Sequence, residues 1–263
     1  MKPTLLILNG CDDLVEERLA PWFHLIKWPL NQEELSVISV DLFDSNRSIH
    51  GLIHPSMSEE TAPEVRMRQQ QQLNELQQHY PSIAIISQKL LLTPETREAF
   101  FTHVFLVARF FEVKETLSLK ALMLFHSQQK YLYFCYNQSI KDRLGQIVAN
   151  HEKDSLDTVF QSYQEKLIEL LASTPSVKNR TNAFQHVFGY LSKEMGTEER
   201  TQLLHQIDDY RQGREKGSQT LVTQKLREEV IRVNQTFLLP QSIFEPYPED
   251  LEAIFMNIKN DPL

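Results

Sequence analysis

The sequence predicts an α+α/β fold: a small Rossmann-like α/β layer with a parallel sheet, followed by an all-α helical domain. Three observations point there. Short apolar, β-branched stretches alternate with helical ones over residues 1–92; the strand signal stops at Thr93; and every later apolar pattern repeats at helical spacing. "TLLILNG" (4–10), "LSVISVDLF" (35–43) and "SIAIISQ" (82–88) read as buried strands. Between them, 13–26 and 63–79 read as helices, and strand–helix–strand order implies parallel pairing. "RQQQQLNELQQ" lies in the second; Val65, Leu73 and Leu76 make it a helix rather than a low-complexity tract.

"TPETREAF" opens the helical part, with Thr93 as cap and Pro94 at the first helical position. Helices follow at 95–112, 116–136, 139–150, 154–173, 180–195, 198–212 and 219–235, with "ASTPSVKN" (172–179) the clearest internal loop. Thr197 is expected to cap the 198–212 helix and Gly213 to end it. Beyond Phe237 the chain is proline-rich and is expected to lie extended over the surface. Two domains are expected, 1–113 and 114–263, and no internal repeat occurs.

The 263 residues are 41% hydrophobic, enough for real cores, and no stretch approaches the ~20 apolar residues of a membrane span. The apolar run before Cys11 is too short for a signal peptide and reads better as a first strand. Two cysteines, Cys11 and Cys135, form no disulfide framework or zinc spacing, so a cytoplasmic protein is expected. The formal charge of −8 argues against a simple nucleic-acid binder. The acidity lies in the flanks: residues 1–113 hold 9 basic and 15 acidic side chains, 236–263 hold 1 and 5, and 114–235 hold 17 and 15.

"NAFQHVFGYL" (182–191) shows how that middle stretch is used. Phe184, Val187, Phe188, Leu191 and Met195 share one helix face, while Asn182, His186, Gly189 and Lys193, with Tyr190 at the edge, share the other. Gly189 costs such a helix about 1 kcal/mol relative to alanine. Its missing side chain suits close approach by a neighbouring helix, a backbone turn or a ligand. The plainer alternative is a solvated face with a small residue for helix crossing.

Other candidate chemistry is sparse. His50 and His54 in "HGLIH" have zinc-like spacing but no third ligand, and read as surface or turn histidines. No nucleophile elbow, P-loop or dinucleotide fingerprint occurs. Cys11, after a strand, is a lone thiol. His126 and Lys130 in "FHSQQKYLYF" lie one turn apart with Tyr133 near the same face. Arg211, Arg214 and Lys216 gather at a helix C-terminus, where cations suit the dipole and equally suit phosphates.

Taken in order, Phe125-His126 with Lys130, Leu144-Gly145 with Val148-Ala149, Asn182, Gln185-His186, Gly189-Tyr190, Tyr210-Arg211 with Gly213, and Pro246-Tyr247-Pro248 resemble the YbgA-like family of bacterial helical domains. The resemblance covers about 115 to 251. It implies a frequent partner, an N-terminal α/β domain of the thiouracil-desulfidase kind that holds an iron–sulfur cluster on three cysteines. The fusions resemble enzymes that remove sulfur from thiolated uridine in tRNA, the helical domain engaging the RNA. Residues 1–92 resemble a decayed version of that partner. Cys11 stands as a vestigial ligand, and no cysteine stands in "DSNRSIHGLIHP" or "IAIISQKLLLTP" where the others would be. Cluster irons need thiolates, and one cannot replace three. An active desulfidase is therefore not expected, and neither a cofactor nor a metal is.

Where relatives carry Ala-His-Ser this chain has Cys135-Tyr136-Asn137, and after Gly213 it runs polar.

The expected function is an accessory, non-catalytic protein binding tRNA or other structured RNA. Its candidate face is His126, Lys130, Asn182, Gln185, His186, Gly189, Tyr190, Lys193, Arg211, Arg214 and Lys216. Two alternatives stay open. One is an enzyme with a rebuilt inter-domain site around Cys11, His50, His54 and His126. The other is a scaffold whose acidic N-terminal layer binds a protein. No membrane partner is expected.

Overall fold

The computed structural model of the chain describes residues 2–8, 10–28, 49–56, 61–150, 153–214 and 218–256. It separates into two compact units, Met1–Glu112 with Tyr247–Leu263, and Val113–Pro246.

The first unit holds strands β1 (Thr4–Leu8), β2 (His24–Trp28), β3 (Gly51–His54) and β4 (Ala84–Ser87). They form a parallel sheet in the order β2-β1-β3-β4. Helix α1 (Asp13–Leu19) connects β1 to β2, and α2 (Pro63–His79) connects β3 to β4. Alternation along the strands sorts side chains to two cores. Leu6, Leu8 and Leu52 meet Leu73 and Leu76 of α2. Leu5, Ile53, Ala84 and Ile86 meet Phe100, Phe101, Val104 and Phe105 of α3 (Pro94–Glu115). Gly51 permits that second contact: a Cβ there would lie 2.7 Å from Leu5 Cδ2 and 2.8 Å from Val104 Cγ2.

Two strands depart from the sequence expectation. The expected 13–26 helix stops at Leu19 and its end becomes β2; "GLIH", taken for a loop, is β3. The expected strand 35–43 lies outside the described residues.

The second unit holds α4 (Leu119–Tyr136), α5 (Gln138–Ala149), α6 (Leu156–Leu171), α7 (Val177–Leu191), α8 (Thr197–Gln212) and α9 (Ser218–Arg232). The caps follow the sequence. Ser118, Asn137, Ser155 and Ser176 accept backbone N–H groups of the first turns of α4 to α7. Asn150 and Gly213 close α5 and α8 in the left-handed conformation. Gly196, not Thr197, is the cap of α8, and the Glu199 carboxylate accepts its N–H at 2.9 Å.

The proline-rich stretch is not an extended surface segment. Leu238, Gln241, Ser242, Ile243 and Phe244 are buried in successive turns. Gln241 Nε2 donates to the Ser127 carbonyl, and the Ser242 N–H to that of Gln128, both at 2.9 Å. Proline removes helix and ladder bonds without removing the apolar side chains that drive burial. Farther on, Tyr247 and α10 (Glu249–Met256) return to the first unit, where Tyr247, Leu251 and Phe255 join the α3 core. Arg97, buried in α3, bonds Glu252 of α10 through Nη2 at 2.7 Å and Nε at 3.1 Å, and donates Nη1 to the Leu91 carbonyl. Tyr247 donates to the same carboxylate at 2.8 Å, and the guanidinium lies 4.8 Å from the Phe255 ring centroid.

Candidate functional site on the helical unit

The polar groups of the helical unit converge on α4. His126 is half-buried, its ring packed against Tyr133 and edge-on to Tyr163 of α6. His126 Nδ1 lies 3.1 Å from the Tyr163 hydroxyl, which lies 3.1 Å from that of Tyr133. Both phenols are fully buried. Each hydroxyl can donate or accept, and Nδ1 donates or accepts according to the imidazole tautomer. Nε2 has no hydrogen-bond partner among the described residues. It faces Gly145 of α5, where a Cβ would come no closer than 3.5 Å.

Burial, then the charge of Lys141, then that of Lys130, push the His126 pKa down to about 4, so the ring is neutral at pH 7. Lys130 has no carboxylate partner among the described residues. Its ammonium lies 5.7 Å from the Tyr131 ring centroid. Lys141 pairs with Asp142 at 2.6 Å and lies 5.3 Å from the Phe134 ring centroid. The result is a neutral imidazole beside one ammonium without a carboxylate partner among the described residues, Lys130, and one paired with its neighbour, Lys141.

Two short chains of contacts join this centre to α7. Phe134, beside Lys141, meets the exposed ring of His186 edge-on at 5.1 Å. Tyr131, beside Lys130, shares a hydrogen bond with Tyr190. His126, Lys130, His186 and Tyr190 are thus brought together through Lys141, Phe134 and Tyr131, which the sequence reading did not single out. Tyr163 and Lys141 come from α6 and α5; only the third dimension associates them with His126.

The core stripe of α7 is as expected: Phe184, Val187, Leu191 and Met195 are buried, and Phe188 is half-buried. Asn182 is half-buried; Gln185 and Lys193 are exposed. Gly189 is exposed, and a Cβ there would meet nothing within 4 Å. No neighbouring helix or turn among the described residues occupies that space, so helix crossing does not explain the glycine.

The cationic cluster at the end of α8 resolves differently. Arg211 pairs with Asp208 at 2.5 Å, and Arg214 with Asp209 at 2.8 Å and Asp208 at 3.4 Å. These arginines spend their charge on their own helix. Lys216 lies outside the described residues.

In the first unit, Cys11 follows β1 where strand order reverses between β1 and β3, the usual ligand crevice of an open parallel sheet. Its thiol donates to the Ile53 carbonyl at 3.7 Å. Burial, with a smaller push from Glu16, raises its pKa to about 12. It therefore stays a thiol at neutral pH, a poor nucleophile. His50 is not a surface residue: it is buried, and its Nδ1 accepts the Thr4 N–H at 3.1 Å. His54 bonds the Pro55 carbonyl at 2.9 Å. Among the described residues, no three His, Cys, Asp or Glu side chains are grouped to hold a metal. No described helix is long and apolar enough to cross a membrane.

From Lys130 onward, but not at His126, the stretch that builds this centre also matches a known family. Residues 130–248 match the family described as "Protein of unknown function (DUF1722)". The chain is also similar to the uncharacterized protein YbgA of Escherichia coli (strain K12), 33% identical over 98 residues, which are 37% of this chain and 58% of that protein. The family match covers less than half of the chain. The chain spans only 58% of the length of that curated relative. No solved structure matches. Lys130 is the first residue of the YbgA-like match, and Lys141, Gly145, Tyr163, His186, Gly189, Tyr190 and Phe237 lie inside it.

Proposed function

We propose that the YbgA-like helical unit binds structured RNA of the tRNA class on the face formed by α4, α5 and α7. The observation that carries this is the unpartnered Nε2 of half-buried His126, its ring held by two buried phenols beside Lys130 and Lys141. A polar ring nitrogen beside ammonium groups matches a phosphate group. Exposed rings of His186 and Tyr190, and the open space at Gly189, add stacking surface and room for a sugar–phosphate backbone. The formal charge of −8 does not weigh on this face, because residues 114–235, which carry the face, hold 17 basic side chains against 15 acidic ones.

A second strand of the proposal concerns the α/β unit. A parallel sheet with Cys11 directly after β1 supports reading it as a decayed thiouracil-desulfidase layer that no longer acts on sulfur. The high thiol pKa favours an accessory role over a rebuilt Cys11 enzyme.

The test is fluorescence anisotropy of the full chain with tRNA across a salt series, thiolated against unthiolated. Micromolar or tighter binding that weakens linearly in log salt is expected. Preference for thiolated tRNA would tie the chain to desulfidase chemistry. Absence of binding at low salt, where screening is weakest, would end the RNA proposal.

A further inference from the structure

We infer that Tyr190 and Phe237 form a platform on which one unpaired nucleobase of the bound RNA stacks, an inference that rests on the RNA-binding proposal above. Phe237 lies outside α7 and α9, in the turn after Gln235, and has no role in the relay. Yet it stays 40% exposed and Tyr190 stays 47% exposed, side by side with ring centroids 6.1 Å apart.

The pair is braced from beneath. Tyr131 is buried, shares its hydroxyl with that of Tyr190, and meets Phe237 edge-on at 6.5 Å. One residue therefore fixes both exposed rings, so little side-chain freedom remains to be lost on binding. The same Tyr131 ring carries Lys130 at 5.7 Å, which places a cation within one residue of the platform. Gly189 precedes Tyr190 and leaves its outer side open.

Two exposed aromatic rings, tilted 41° to one another, beside a cation and a bare stretch of helix backbone match the three parts of a nucleotide: base, phosphate and sugar. The exposed area is two rings wide, suited to one base rather than to a peptide helix. A hydrocarbon ligand would gain nothing from the cation. The platform also replaces His186 as the main stacking group, since His186 already presents its ring edge-on to Phe134.

The test uses the full chain and an unmodified tRNA transcript, with anisotropy read across a salt series. Phe237→Leu keeps apolar bulk and removes the π face. It should weaken binding about 5- to 100-fold and leave the salt slope unchanged, because stacking releases no counterions. Phe237→Trp should restore wild-type affinity. Lys130→Gln should instead lower the salt slope by about one. Thermal melts of each variant check that the fold is intact. If Phe237→Leu binds as wild type, or loses affinity together with slope, the platform is wrong while the RNA proposal stands. If the wild type shows no binding at any salt, both fall.

Discussion

Each unit buries a polar constellation around a nitrogen-rich side chain, and the two constellations end differently. In the α/β unit, Arg97 meets Glu252, the Leu91 carbonyl and the Phe255 ring, and Tyr247 takes the remaining carboxylate oxygen. That network closes on itself. In the helical unit, Tyr133 and Tyr163 converge on His126, whose Nε2 is left facing outward over Gly145. A closed network accounts for itself as stability. An open one leaves a ring nitrogen of a half-buried side chain for solvent or a ligand to meet.

The sharpest way to break this contrast is to cut the closed network. Glu252→Ala leaves the Arg97 guanidinium buried without its counter-charge and should destabilise the α/β unit by about 3–5 kcal/mol. Urea unfolding followed by hydrogen exchange in α3 and in α4 should show the loss confined to α3. An equal loss in α4 would mean the two networks are not separate.

Acid probes the open network next. Burial lowers the pKa of His50, His103 and His126 to about 4. The unfolded chain takes up these protons near pH 6.5 while the folded chain refuses them. The resulting stability is complete above pH 6.5 and is lost as pH falls towards 4, on the order of 2 kcal/mol per histidine at pH 5. Inorganic phosphate should offset the loss at His126 and leave that at His50 and His103 unchanged. Urea midpoints at pH 7 and pH 5, with and without phosphate, separate the three.

A smaller effect sharpens the relay itself. Tyr133→Phe removes one buried hydrogen bond and should cost about 1 kcal/mol. Nitrogen NMR of His126 should then show a changed tautomer balance. The smallest effect belongs to α8. Arg211→Ala with Arg214→Ala should leave melting temperature and tRNA affinity unchanged, since both arginines face Asp208 and Asp209. A drop in affinity would return that cluster to the binding face.

Much of the fold was legible because helices announce themselves over many residues. Helix 63–79 and the six helices of the second unit lie within a few residues of where periodicity and caps place them. The misses are short. "HLIKW" is a half-exposed edge strand of five residues and "GLIH" a buried strand of four, both too brief to show a period. His50 misled for the same reason, being read by its glycine neighbour as a turn. At the site, His126 with Lys130 and the row through His186 and Gly189 could be seen along single helices. Lys141, Tyr163, Tyr131 and Phe237 could not, because each reaches the face from a different element or register. Arg211 and Arg214 looked available because sequence shows charge but not which aspartate a side chain folds back to meet.

The return of the chain's last helix to its first unit sets an order of assembly. Translation adds about 5–20 residues per second, so on the order of ten seconds separates the emergence of Phe105 from that of Phe255. During that interval the sheet has its strands but lacks Tyr247, Leu251 and Phe255. The helical unit, contained in one uninterrupted stretch, has everything it needs first. On the ribosome, of these two units the one begun earlier is the one finished later.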